Sequence, residues 1–218
     1  MENQEAQKSF LEDDLTVSNK MAQPRENPPK GPRHFVITHV IAAGTHVEQF
    51  PGKPAVSQKK VICLYELKDR RLDGKRFVRN RKWTFSMDDR AKMRKDLAGL
   101  GIDTSKDFAL KSLVGRNGMV NVMHETMQDG STKVSEGPMT ELMEGIPLIS
   151  PEADLAVIPE WAQAYIAESP EYIQKHGKGA VGPYAEAIKK AADRKAGKPQ
   201  QAASGSAIPP QDDSELPF

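Results

Sequence analysis

Long apolar runs are missing from this 218-residue chain: none approaches the roughly 18 residues that a membrane-spanning helix needs. The first fifteen residues, MENQEAQKSFLEDDL, carry acids where a signal peptide would place a basic and then apolar ramp. The chain is therefore read as soluble, with no membrane partner. Cysteine is almost absent. Cys63 alone can form neither an internal disulfide nor a thiolate cluster, which excludes disulfide scaffolds, zinc ribbons and Cys-X-X-Cys redox chemistry. Aromatics make up 6% and hydrophobic residues 38% of the chain, and the latter is below the usual ~45–50%. Part of the chain is thus expected to be solvated tail rather than core.

Enzyme signatures are equally scarce. His124-Glu125 is followed by Thr-Met-Gln-Asp and not by the second histidine a zinc helix places at i+4. His34, His39 and His46 lie together near one strand, but isolated histidines are mostly structural. Gly115-Arg-Asn-Gly118 lacks the Gly-Lys-Ser/Thr ending of a phosphate loop, and no nucleophile has a base beside it. No cofactor, metal site or catalytic residue is expected.

What the chain does have is charge of one sign in one place. Formal net charge is only +1, yet residues 59–95 hold fourteen basic and five acidic side chains, leaving the remainder net acidic. Such asymmetry suits a protein that holds a polyanion on one surface.

Residues 1–32, with four prolines and scattered charge, are expected to form a disordered arm. Strand signals follow at RHFVITHVI (33–41, extending towards Phe50), KKVICLYEL (59–67) and KRFVRNRKWTFS (75–86), the last two joined as a hairpin by Asp73-Gly74. Ser86 is expected to cap a helix of about three turns in which Met93, Leu97 and Leu100 share a face. A short helical piece is expected at 106–114, and two further strands at GMVNVMHETM and STKVSEGPMTEL. The order βββαββ, five strands with a helix between the third and fourth, is that of the OB-fold, a small barrel that commonly binds oligonucleotides. The fold is accordingly read as mainly β with added helices: an OB-fold single-strand-binding domain over 33–150, a helical extension over 151–196, a flexible linker over 197–211 and an acidic protein-interaction tip over 212–218. The extension packs either on the barrel or on another subunit, so a homo-oligomer remains open.

The third strand is the most informative. Strict alternation puts Phe77, Arg79, Arg81, Trp83 and Phe85 on one face and Val78, Asn80, Lys82 and Thr84 on the other. Guanidinium groups interleaved with flat rings suit single-stranded nucleic acid, because cations track phosphates while unpaired bases stack on aromatics. Two readings stay open for Trp83 and Phe85: stacking platforms, or core residues turned inward by a bulge near Asn80, with the arginines outside in either case. Tyr65 is likewise a platform or a core residue. Arg70, Arg71, Lys75 and Arg76 flank the hairpin turn and, with Lys59, Lys60 and Lys82, are expected to contact phosphates. The charged helix face of Arg90, Lys92, Arg94 and Lys95 needs no ligand.

The end of the chain combines an apolar plug, a free carboxylate and clustered acid: Asp212, Asp213, Ser214, Glu215, Leu216, Pro217 and Phe218. A greasy pocket rimmed with Lys or Arg would capture it. These seven residues resemble the acidic tip of bacterial single-stranded DNA-binding proteins, typically Asp-Asp-Asp-Ile-Pro-Phe, with Ser-Glu and Leu as departures. The run VICLYELKDRRLDGKRFVRNRKWTFSMDDRAKMRKDLAGL, with Leu113-Val-Gly115 and Pro159-Glu-Trp161, is similar to phage-encoded OB-fold proteins of the single-strand-binding kind, over about two thirds of the chain. The resemblance implies coating of single-stranded DNA in replication, recombination or repair, recruitment of a helicase, polymerase or nuclease through the tip, and a bacterial or phage-infected cytoplasm. The competing expectations are a metal-dependent nuclease using His124 and Glu125, and an RNA-binding or purely scaffolding protein.

Overall fold

The computed structural model describes residues 26–49, 51–52 and 54–196. Most of the expected arm, the linker and the acidic tip lie outside the described residues.

β1 (Gly31–Glu48), β2 (Val56–Arg70), β3 (Arg76–Thr84), β4 (Asn117–Thr126) and β5 (Thr132–Glu141) form one antiparallel sheet in the order β3-β2-β1-β4-β5. β1 is long because it serves two partners. Its first residues, Gly31–Val36, pair with Val122–Asn117 of β4, while Phe35–Glu48 pair with β2 through register shifts after Ile37 and Ala42. Gly44, at φ +81°, sits at the second shift, where a left-handed residue lets the strand bend.

Between β3 and β4 lie α1 (Lys92–Gly99) and a 3-10 turn at Leu110–Leu113. Met93, Leu97 and Leu100 are buried as their spacing predicts. The expected cap is corrected: the helix starts six residues after Ser86, with Ala91 at its N-cap, and the Ser86 hydroxyl instead accepts from the Asp88 N–H at 3.2 Å. Three helices follow: α2 (Glu160–Ala167), α3 (Pro170–His176, capped by the Ser169 side chain) and α4 (Ala185–Ala196).

β2 is covered on both faces. Val61, Cys63, Tyr65 and Leu67 join Phe35, Ile37, Trp83, Val120 and the α1 residues in the main core. Ile62 and Leu64 face the other way, against Ala43 and Ala162 with Ile158, Tyr165 and Ile166 beside them. The helical extension therefore packs on the outer face of β1 and β2, which is why KKVICLYEL is a continuous apolar run rather than an alternating one.

The expected closure into a barrel is not seen. β3 and β5 both end the sheet, with no backbone ladder between them among the described residues. Side chains bridge the gap instead: Arg81 Nη2 donates to the Gly137 carbonyl at 2.7 Å, and Arg79 and Tyr65 both donate to Glu136. Gly99 lets α1 close over this seam, since a Cβ there would lie 2.1 Å from the Met139 carbonyl oxygen.

Candidate nucleic-acid interface

The β2–β3 register is unbroken from Lys60↔Thr84 to Glu66↔Val78, so no bulge near Asn80 separates the rings from the arginines. Phe77, Arg81 and Trp83 turn inward, and Arg79 on the same face is half-buried. The core reading holds for Trp83 and Tyr65, both 0% exposed, and Phe77 is buried with them. Arg81 does not stay outside with its ring neighbours buried: its side chain is as enclosed as theirs, for a reason visible in its partners.

Arg81 Nη1 donates to Asp96 Oδ1 at 2.6 Å. The same carboxylate accepts from Trp83 Nε1 at 2.8 Å and from the Met139 N–H at 3.0 Å. One α1 residue thus ties β3 to β5. Burial depresses the Arg81 guanidinium, but the Asp96 hydrogen bond and charge, followed by Tyr65 and Glu136, outweigh it and hold the group above its usual value. Burial, then the Glu136 charge and hydrogen bond, push the Tyr65 hydroxyl well above the ordinary tyrosine range. Burial likewise raises the Cys63 thiol, which leaves it inert.

Most of the other expected phosphate contacts already have acidic partners. Lys60 is buried and pairs with Glu48 at 2.7 Å. Arg70 forks onto Glu152 at 2.5 and 3.1 Å, and Arg76 reaches both Glu152 at 3.1 Å and Glu66 at 3.5 Å. Arg71 lies 3.7 Å from Asp73. The Lys82 ammonium sits 3.7 Å over the Tyr165 ring, whose other neighbour is the stacked imidazole of His46. Lys59 and Lys75 are exposed and make no ion pair among the described residues.

Two concavities collect what remains. The first, about 750 Å³, runs along the unpaired edge of β3 opposite β5 and brings together Arg71, Arg76, Phe77 and Arg79, with Thr132 and Val134 across the gap. Glu26 and Pro28 close one end. The second, about 580 Å³, lies where β3 runs out: Phe85, 53% exposed, stands beside Lys59, Lys60 and Lys111 over an apolar floor. The twelve expected contact residues are therefore not one surface. Four line the seam, Lys59 and Lys60 line the cleft, Lys82 packs on α2, Arg70 and Lys75 flank the hairpin turn, and Tyr65, Arg81 and Trp83 are interior. Asp212, Asp213, Glu215, Leu216, Pro217 and Phe218 lie outside the described residues.

Lys111 and the second cleft's floor were not visible in the sequence, because the 3-10 turn that delivers Leu110 and Lys111 meets β1 only in the folded chain. His124, the candidate metal ligand, is spent on a 2.8 Å hydrogen bond to the Pro28 carbonyl, and Glu125 lies 3.6 Å from Lys133. Among the described residues no three His, Cys, Asp or Glu side chains are grouped to hold a metal ion, and no helix is long and apolar enough to cross a membrane. No family model, curated protein or solved structure matches the chain.

Proposed function

We propose that this chain is a non-enzymatic single-stranded DNA-binding protein, built on an OB-type barrel left open along one seam, with its acidic tip recruiting replication or recombination enzymes. The strand order β3-β2-β1-β4-β5, a bent β1 shared by two partners and a helix between β3 and β4 support the OB reading. The observation that carries the binding reading is the seam groove, where Arg71, Arg76 and Arg79 converge beside the unpaired edge of β3. Arginine suits this role even when already paired, since its five donors serve a carboxylate and a phosphate together. The groove is open, and a strand threaded there would bring its phosphates within reach of the arginines while its bases stay unpaired.

Internal pairing limits the electrostatic reach. With about three or four of the lining cations meeting phosphates, affinity should fall about 20- to 50-fold between 50 and 200 mM salt. A titration of labelled oligo-dT, matched RNA and duplex across that range tests the proposal. Tighter binding of the DNA single strand with this shallow salt dependence is expected. Absence of binding at the lowest salt sinks the reading, preference for RNA or duplex redirects it, and magnesium-dependent loss of the label replaces it with the nuclease.

A further inference from the structure

We propose that the cleft at the end of β3 is a base-stacking subsite, taking one unpaired base against Phe85 with its flanking phosphates between Lys59 and Lys111. This rests on the single-strand reading above and names the place where a base, rather than the backbone, is held.

Phe85 is the one ring of the third strand that escapes the core, and its position is set: its N–H donates to the Lys59 carbonyl at 2.7 Å, extending the β2–β3 pairing by one residue. Val40, Val61 and Leu110 form the floor beside it. Neither Lys59 nor Lys111 has an ion-pair partner among the described residues, in contrast to Lys60 in the same cleft, which is held by Glu48. Glu171 is the lining carboxylate, and both its oxygens are occupied by Thr45, accepting from the N–H at 3.0 Å and the hydroxyl at 2.5 Å. An apolar floor, one exposed flat ring and two unpaired ammonium groups fit a ligand that is flat-faced and anionic at its ends. A nucleotide has that chemistry. From Arg79 to Phe85 is six residues of extended chain, about 20 Å along β3, within the reach of a strand occupying one OB-type site.

The test compares Phe85→Ala, Phe85→Trp and the natural chain on oligo-dT and on an oligonucleotide of the same length lacking bases, with thermal unfolding as the folding control. Phe85→Ala should weaken oligo-dT binding about 5- to 150-fold and leave the salt slope unchanged. That penalty should vanish on the abasic strand, and Phe85→Trp should restore the affinity. Equal losses on both strands, or none, overturn the subsite. So would Phe85-dependent binding of a DDSELPF peptide with oligo-dT affinity unaltered, which gives the cleft to an acidic peptide. If the natural chain itself ignored oligo-dT, the function reading would fail; if it bound and Phe85→Ala bound equally well, only the subsite would.

Discussion

Arg81 and Lys59 lie on neighbouring strands within the same basic stretch, yet the fold uses them in opposite ways. Arg81 is sealed with Asp96, their side chains 2% and 1% exposed, and holds β3, α1 and β5 together. Lys59 stands in water with no partner among the described residues, beside a half-exposed ring. A buried charge must be neutralised where it sits, so it becomes part of the scaffold. An exposed unpaired charge costs the fold little and stays available to a polyanion. Positive charge counted along a chain is thus not positive charge offered to a ligand.

The scaffold side of this contrast should break most severely. Asp96→Ala strands the Arg81 guanidinium and removes the acceptor for Trp83 and Met139, so a loss of about 3–5 kcal/mol is expected in denaturant unfolding. Replacing the pair together, Arg81→Met with Asp96→Leu, should recover part of that loss while leaving the salt slope of oligo-dT binding unaltered. A changed slope would mean that Arg81 meets the polymer after all.

The helical extension supplies the next test. Gly44 has φ +81°, and a Cβ there would lie 2.5 Å from Ser169 Cβ and Oγ. Gly44→Ala combines a left-handed cost of about 1–2 kcal/mol with displacement of α3. Limited proteolysis should then cut residues 160–196 sooner than the sheet. Unaltered cleavage would show that α3 is not held through this contact.

The smallest effect concerns Glu171. Hydrogen bonds from the Thr45 hydroxyl and then its N–H hold this carboxyl down at about 2, well below the usual carboxylate range. Its folded value is depressed, so the contribution is present above the ordinary carboxylate range and lost as pH falls through it towards 2. Thermal unfolding followed from pH 6 to 2 should show a modest decline that Glu171→Gln flattens, with little difference between the two proteins at the acid end.

Much of the architecture could be read in advance. The five strands, the Asp73-Gly74 turn and the Met93, Leu97 and Leu100 face of α1 follow from local periodicity, caps and turn residues, which act over a few positions. The alternation along β3 was legible too, but not which face was inside. The rings and arginines share one face, and polarity alone argues for putting that face in solvent. Its burial depends on acids elsewhere: Asp96 lies one residue past the basic stretch, and Glu136 is further away still. The apolar outer side of β2 likewise could not name α2 as its cover.

Residue order was therefore sufficient for the elements and their sequence along the chain, because hydrogen bonding and hydrophobic periodicity are local. It also sufficed for the clustering of basic residues and for the composition of the acidic tip. Folding in three dimensions settled which cations are cancelled, which ring remains exposed and where the sheet stays open. Those outcomes depend on charges and surfaces brought together from distant positions, and Coulomb attraction and burial act on separation in space.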